Sequence, residues 1–153
     1  MAHTIVSGPM NSRTVVRTSE AMRADDLGKL VLRLTIAALI LLHGISKISG
    51  GVGAIAGMLQ QHGMPPALAY GAYIGEVLAP VLVIIGVLTR PAALVMAINM
   101  IVAVSLAHMG QLGDLNKQGG WALELQACFL FGSLAIALLG AGGLSVGGRS
   151  RWN

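Results

Sequence analysis

Polar positions along this chain are sparse and bunched, and the stretches between them stay apolar for about a membrane's thickness at a time. Four such segments stand out by their freedom from charge. The first, Leu30 to Ile48, has Arg33 near its start and His43 and Lys47 near its end. The second, Ala67 to Leu88, carries Glu76 alone; the third, Pro91 to Ala107, carries no charge; the fourth, Trp121 to Leu139, carries only Glu124. Each is 17 to 22 residues long, close to the ~20 that cross about 30 Å of hydrocarbon as a helix. The third, "PAALVMAINMIVAVSLA", has only Asn99 and Ser105 with which to build a polar face. A helix of a soluble bundle keeps a polar stripe along its whole length, so the solvent this pattern calls for is lipid.

The expected fold is therefore all-α: a polytopic membrane protein, built as a four-transmembrane-helix bundle with a short interfacial helix between helices 1 and 2. That short helix falls within residues 49–66, too brief and glycine-rich to span, with Val52 to His62 as its extent. "LTR" between the second and third segments is a minimal turn, so these two helices form a tight antiparallel hairpin, with Pro91 in the tolerated first turn of the latter. Pivoting the pair about Thr89–Arg90 sets Asn99 opposite Pro80 and His108 opposite Gly71. Residues 1–26 are polar and lack the apolar core of a cleaved signal peptide. They are expected to be a disordered cytoplasmic tail, with Asp25 and Asp26 in the first turn of a helix starting near Leu27. The bundle domain then covers 27–140, and 141–153 is expected to be a disordered, Gly/Arg-rich cytoplasmic tail.

Composition supports the bilayer. The chain is 153 residues, 55% hydrophobic and only 10% charged, against about 25% charged in an ordinary soluble domain. A net charge of +4 invites a nucleic-acid reading, but the basic residues form no helix face and are not interleaved with aromatics, so no nucleic-acid partner is expected. They sort by side instead. Arg13, Arg17, Arg23, Lys29, Arg33, Arg90, Arg149 and Arg151 fall on one side of the bundle, against Lys47 and Lys117 on the other. That bias places both termini in the cytoplasm, in the cell (inner) membrane of a multi-pass protein. The single cysteine, Cys128, excludes an internal disulfide, a CxxC dithiol and a cysteine-based zinc site. It reads as a small apolar residue.

Ionisable groups inside hydrocarbon cost about 2.5–3.5 kcal/mol each at mid-bilayer on insertion scales, so they normally face the bundle and find partners. Arg33, near an edge, is accounted for by snorkelling to lipid phosphate. Lys47 can reach outward in the same way, and His43, one turn deeper, can be satisfied by a neighbouring backbone carbonyl. Glu76 lies about 14 Å into its helix and must pair with a cation or hold a proton. Pro80, four residues on, removes the N–H that its carbonyl would accept and predicts a kink beside the carboxyl group. Asn99 is then expected to satisfy that carbonyl. His43, Lys47, Glu76, His108 and Glu124 all fall in one half of the bundle, where they would form a shared polar pocket. No residue pattern for a metal is present and no cofactor is evident; two histidines on separate helices are a weak basis for haem.

The text "LLHGISK" (Leu41–Lys47), Glu76 within the second helix, "GVLTR" (Gly86–Arg90) and "GGWALEL" (Gly119–Leu125) resembles the DoxX family of small four-helix membrane proteins, over roughly Leu27 to Gly140. The resemblance implies an oxidoreductase-associated membrane subunit, linked to quinol or thiosulfate oxidation, quinone-stress resistance or thiol and superoxide defence. It also carries His43, Lys47, Glu76, Arg90 and Glu124 forward as site positions. The expectation is a membrane subunit of a redox system, interacting with a quinone, with His43, Lys47, Glu76 and Glu124 in a catalytic polar pocket. His108 and Arg90 are the candidates for holding a cofactor. Implied partners are the lipid bilayer and a partner oxidoreductase or other membrane subunits, with a homo-oligomer also compatible. Two rival readings stand beside it: a small transporter or permease, and a structural or assembly subunit whose polar network only fixes packing.

Overall fold

The computed structural model describes residues 12–148 and 150–153. Among them every regular element is helical, and the only strand-like pairing is an isolated bridge between Leu115 and Trp121. Helix α1 runs Ser12–Gly50, and a short helix α2 follows at Gly53–Gln61. The third, α3, is a continuous span over Pro66–Ile85 assembled from differently wound pieces. Helix α4 is Thr89–Ala107 and α5 is Glu124–Leu139. Three stretches are long and apolar enough to cross a membrane: Arg23–Gly50, Pro66–Ile85 and Thr89–Ala107. The fourth apolar helix, α5, is shorter, at 16 residues.

The packed centre lies among α1, α3, α4 and α5, and it is built largely from small side chains. Ala37, Ala79, Ala92, Ala93 and Ala137 surround Ile40, Val83, Met96, Phe129 and Ile136. Without a hydrophobic drive between helices in lipid, close approach of small residues supplies the packing. Gly44 is the clearest case: a Cβ there would overlap the carbonyl oxygen of Glu76, so α1 and α3 touch backbone to backbone. Gly75 is similarly covered, with the Asn99 side chain 2.5 Å from where a Cβ would stand. The outward faces are apolar as well. Leu42 is 62% exposed, Ile98 59%, Phe131 65% and Leu138 77%. A continuous greasy exterior of this kind is a surface made for lipid.

Several expectations change. Residues 12–26 are helical and extend α1, because nothing between Ser12 and Leu27 is glycine or proline to stop it. The expected tail over residues 1–11 lies outside the described residues. Helix α3 ends at Ile85 because Gly86 takes a left-handed cap (φ 73°), the usual helix stop, and not at Leu88. The turn also holds Leu88 at φ 50°, a conformation non-glycine residues rarely adopt. Helix α5 opens at Glu124, after a loop in which Asn116 Oδ1 accepts from the Gly120 amide (2.9 Å) and Trp121 Nε1 donates to the Leu112 carbonyl (2.9 Å).

The described residues after Gly140, 141–148 and 150–153, form turns folded across the Gly86–Arg90 end of the bundle. Arg33 is 3% exposed and does not snorkel. It donates to the carbonyls of Ala141, at 3.2 Å, and Leu144. Arg90 donates to Ala137 O (3.2 Å), Leu138 O (2.9 Å) and Asn153 O (3.2 Å), placing a cation on the carbonyls that end α5. Two backbone bonds, Val146 N to Ile85 O (3.1 Å) and Gly147 N to Gly86 O (3.0 Å), complete the attachment.

Candidate functional site

Helix α3 changes its winding where its one acidic residue sits. Between Ile74 and Leu78 the backbone forms a wide π turn, and the Ala79 amide donates to the carbonyl of Ile74, five residues back. Pro80 has no N–H to offer the next carbonyls, so this stretch cannot keep the regular pattern. Single π turns of this sort concentrate at functional sites. The irregularity beside Pro80 takes the form of a local widening, with Glu76 at its centre and 4% exposed.

Lys47, from the last turn of α1, donates to both carboxylate oxygens of Glu76. Its side chain is 30% exposed against 5% for Glu76, so the lysine approaches from the bundle's rim and the acid from inside. Asn99 of α4 adds a third donor, with Nδ2 3.1 Å from Oε1 of Glu76. Asn99 thus serves the carboxylate and not the carbonyl it was expected to serve. Tyr73 donates its hydroxyl to the Lys47 carbonyl (3.2 Å), tying α3 to the end of α1.

The histidines are nearby but bonded elsewhere. His43 Nδ1 donates to the Leu39 carbonyl (2.9 Å), the local satisfaction open to it from sequence. Its ring stands edge-on to Phe129, with centroids 5.5 Å apart. His108 Nδ1 donates to Gln111 Oε1 (3.1 Å), and its Nε2 accepts from the Gln126 amide at 3.4 Å.

Two cavities meet at the ion pair. The larger, about 540 Å³, lies between α2, α3 and α4. Lys47, Glu76, Asn99 and His108 are its polar residues, and its walls are apolar, including Met58, Leu59, Ile98 and Val102. The smaller, about 140 Å³, is lined by His43, Lys47, Glu76, His108 and Gln126 together with Phe129 and other apolar residues. Lys47, Glu76 and His108 line both.

Of the site positions read from sequence, His43, Lys47, Glu76 and His108 are brought together. Glu124 lines neither cavity. It is exposed in the first turn of α5, folded back over Gly120, where a carboxylate suits the positive helix end. Arg90 is at the far end of the bundle, engaged with the C-terminal segment. Gln126 was not among the expected site residues; its signal is that it is the one amide side chain on α5, two residues after Glu124. Among the described residues no group of three or more metal-ligating side chains is gathered.

No curated protein and no solved structure shows significant similarity to the chain. The family model of DoxX matches residues 28–109, more than half of it. That region holds α1 from Gly28 through α4, and with it His43, Lys47, Glu76, Asn99 and His108; Glu124 and Gln126 lie beyond. The chain is a multi-pass membrane protein and belongs to the DoxX family.

Proposed function

We propose that this protein is a membrane subunit of a redox system that receives the head group of a quinone in the larger cavity. One observation carries the reading: an apolar cavity of about 540 Å³, within the size range of small-molecule sites, ends on a lysine, an asparagine and a buried carboxylate. A quinone has that polarity, with two carbonyl oxygens on a flat ring and a hydrocarbon tail. Lys47 and Asn99 are hydrogen-bond donors that can turn from Glu76 toward a carbonyl oxygen. Glu76 holds both donors in place and can exchange a proton. The exposed residues Ile98 and Val102 leave the tail a sideways exit into lipid. A bound quinone would supply the electron-accepting chemistry; the chain supplies position, donors and a proton site.

In this reading α5 completes a four-helix span. Its 16 residues reach about 24 Å, a mismatch the bilayer absorbs at modest cost. Helix α2 lies at the outer interface and both termini face the cytoplasm of the cell membrane. A partner oxidoreductase docks on this subunit. The test is complementation of a deletion strain challenged with quinones. Glu76→Gln and Lys47→Met are expected to lose resistance while the protein remains in the membrane. Full resistance in both variants would refute the reading. Loss of abundance with unchanged activity per folded molecule would instead mark the network as packing alone. Cavities on two sides of one ion pair also suit a small proton-coupled permease, which predicts solute flux in proteoliposomes.

A further inference from the structure

The two cavities differ in what they would admit. Only four of the nineteen residues lining the larger are polar, Lys47, Glu76, Asn99 and His108. Of its exposed lining residues, Leu68, Gly71 and Ala107 lie toward the loop end, while Val95, Ile98 and Val102 open a side mouth along the middle of α4. That mouth faces hydrocarbon. In the smaller cavity five of ten lining residues are polar: His43, Lys47, Glu76, His108 and Gln126. Its exposed members, His43 and Leu125, belong to α1 and to the first turn of α5. That turn directly follows the polar loop running from Gly110 to Gly120. This mouth is at the wet end of the bundle.

We propose that the smaller cavity is a hydrated proton port serving Glu76, on the opposite side of the ion pair from the apolar cavity. A volume of about 140 Å³ has room for several waters, and waters persist in cavities whose walls offer polar partners. The Gln126 amide is half-used: it donates to His108, while its carbonyl oxygen is buried with no partner among the described residues. The groups sharing these cavities with Glu76 are Lys47 and His43 from α1, Asn99 from α4, His108 just past its end, and Gln126 from α5. The step is a simple transfer. A hydronium in the cavity gives up one proton, a carboxylate oxygen of Glu76 forms the new O–H bond, and water remains. Protons reach the acid from the wet end without passing whatever fills the apolar cavity. The inference thus goes beyond the quinone reading, and its test needs no quinone.

Carbodiimides add to a protonated carboxyl group to give an acylurea, so labelling of Glu76 reports which reagent can reach it. In proteoliposomes a water-soluble carbodiimide enters by the polar port and lipophilic dicyclohexylcarbodiimide by the apolar cavity. Peptide mass spectrometry reads both, with exposed Glu124 as the reference for reagent activity. Gln126→Phe and, separately, Leu125→Trp narrow the port. Each is expected to cut water-soluble labelling of Glu76 by an order of magnitude and to leave dicyclohexylcarbodiimide labelling unchanged, which also shows that the variant is folded. Ile98→Trp, at the apolar mouth, is expected to do the reverse. The proposal is overturned if the water-soluble reagent never labels Glu76 in the parent protein. It is equally overturned if both port variants leave that labelling intact, or if both reagents fall together in both port variants.

Discussion

At the residue scale the molecule turns on one contact, the pair between Lys47 and Glu76. A buried pair contributes little net stability, because both ions lose water, yet removing one member strands the other at a cost of about 3–5 kcal/mol. Lys47 is partly exposed, so the asymmetry is predictable. Lys47→Met leaves a buried acid with only Asn99 and is expected to destabilise the detergent-solubilised protein by about 3 kcal/mol. Glu76→Gln leaves a lysine able to reach solvent and should cost less. The double variant is expected to fall short of the sum of the two, a coupling that a double-mutant cycle measures. Gly44 makes a second residue-scale prediction. Because any Cβ there meets the Glu76 carbonyl, Gly44→Val should cost about 2 kcal/mol or more through overpacking, seen as a lowered thermal midpoint.

At the scale of the element, the wide turn of α3 decides where Glu76 points. Pro80→Ala restores a backbone N–H and removes the reason for the π turn. Rewinding to a regular helix rotates Glu76 by about a residue's 100°, away from Lys47. The expected outcome is a lowered thermal midpoint, because the ion pair is broken, with quinone resistance per folded molecule as low as in Glu76→Gln; full resistance would mean that the turn does not set the site. This element also shows what was legible beforehand. Glu76 and Pro80 announce the irregularity from spacing alone, since a buried acid and a missing N–H fall within one turn. The register across the hairpin did not follow. Carrying the helix to Leu88 put the pivot at Thr89–Arg90 and set Asn99 against Pro80. Gly86 ends it at Ile85 instead, so the pivot is Val87, twelve residues from both Gly75 and Asn99. Reading Gly86 as a cap would have placed the amide on the acid's turn.

At the scale of the whole molecule, the apolar exterior and the helical order were plain in the spacing of charges, because lipid imposes both. The C-terminal segment was not, because the two arginines that hold it bind backbone carbonyls. Arg33 and Arg90 bind Ala141, Leu144 and Asn153 through main-chain oxygens, which any residue would present, so a glycine-rich composition reads as loose. Deleting residues 141–153 would leave Arg33 buried without those acceptors. It is expected to lower the thermal midpoint and membrane abundance, and an Arg33→Met change in the truncated chain should restore part of the loss.

In the proposed function the larger cavity, floored by Lys47, Glu76 and Asn99, takes a quinone head group. Photo-crosslinking with an azido-quinone in nanodiscs, followed by peptide mapping, tests it most directly. Adducts are expected on the cavity walls, on α2 around Met58 and on α4 between Val95 and Ala107, suppressed by excess unmodified quinone and by Glu76→Gln. Adducts spread over outward residues such as Phe131 and Leu138, untouched by competitor or by the substitution, would contradict it.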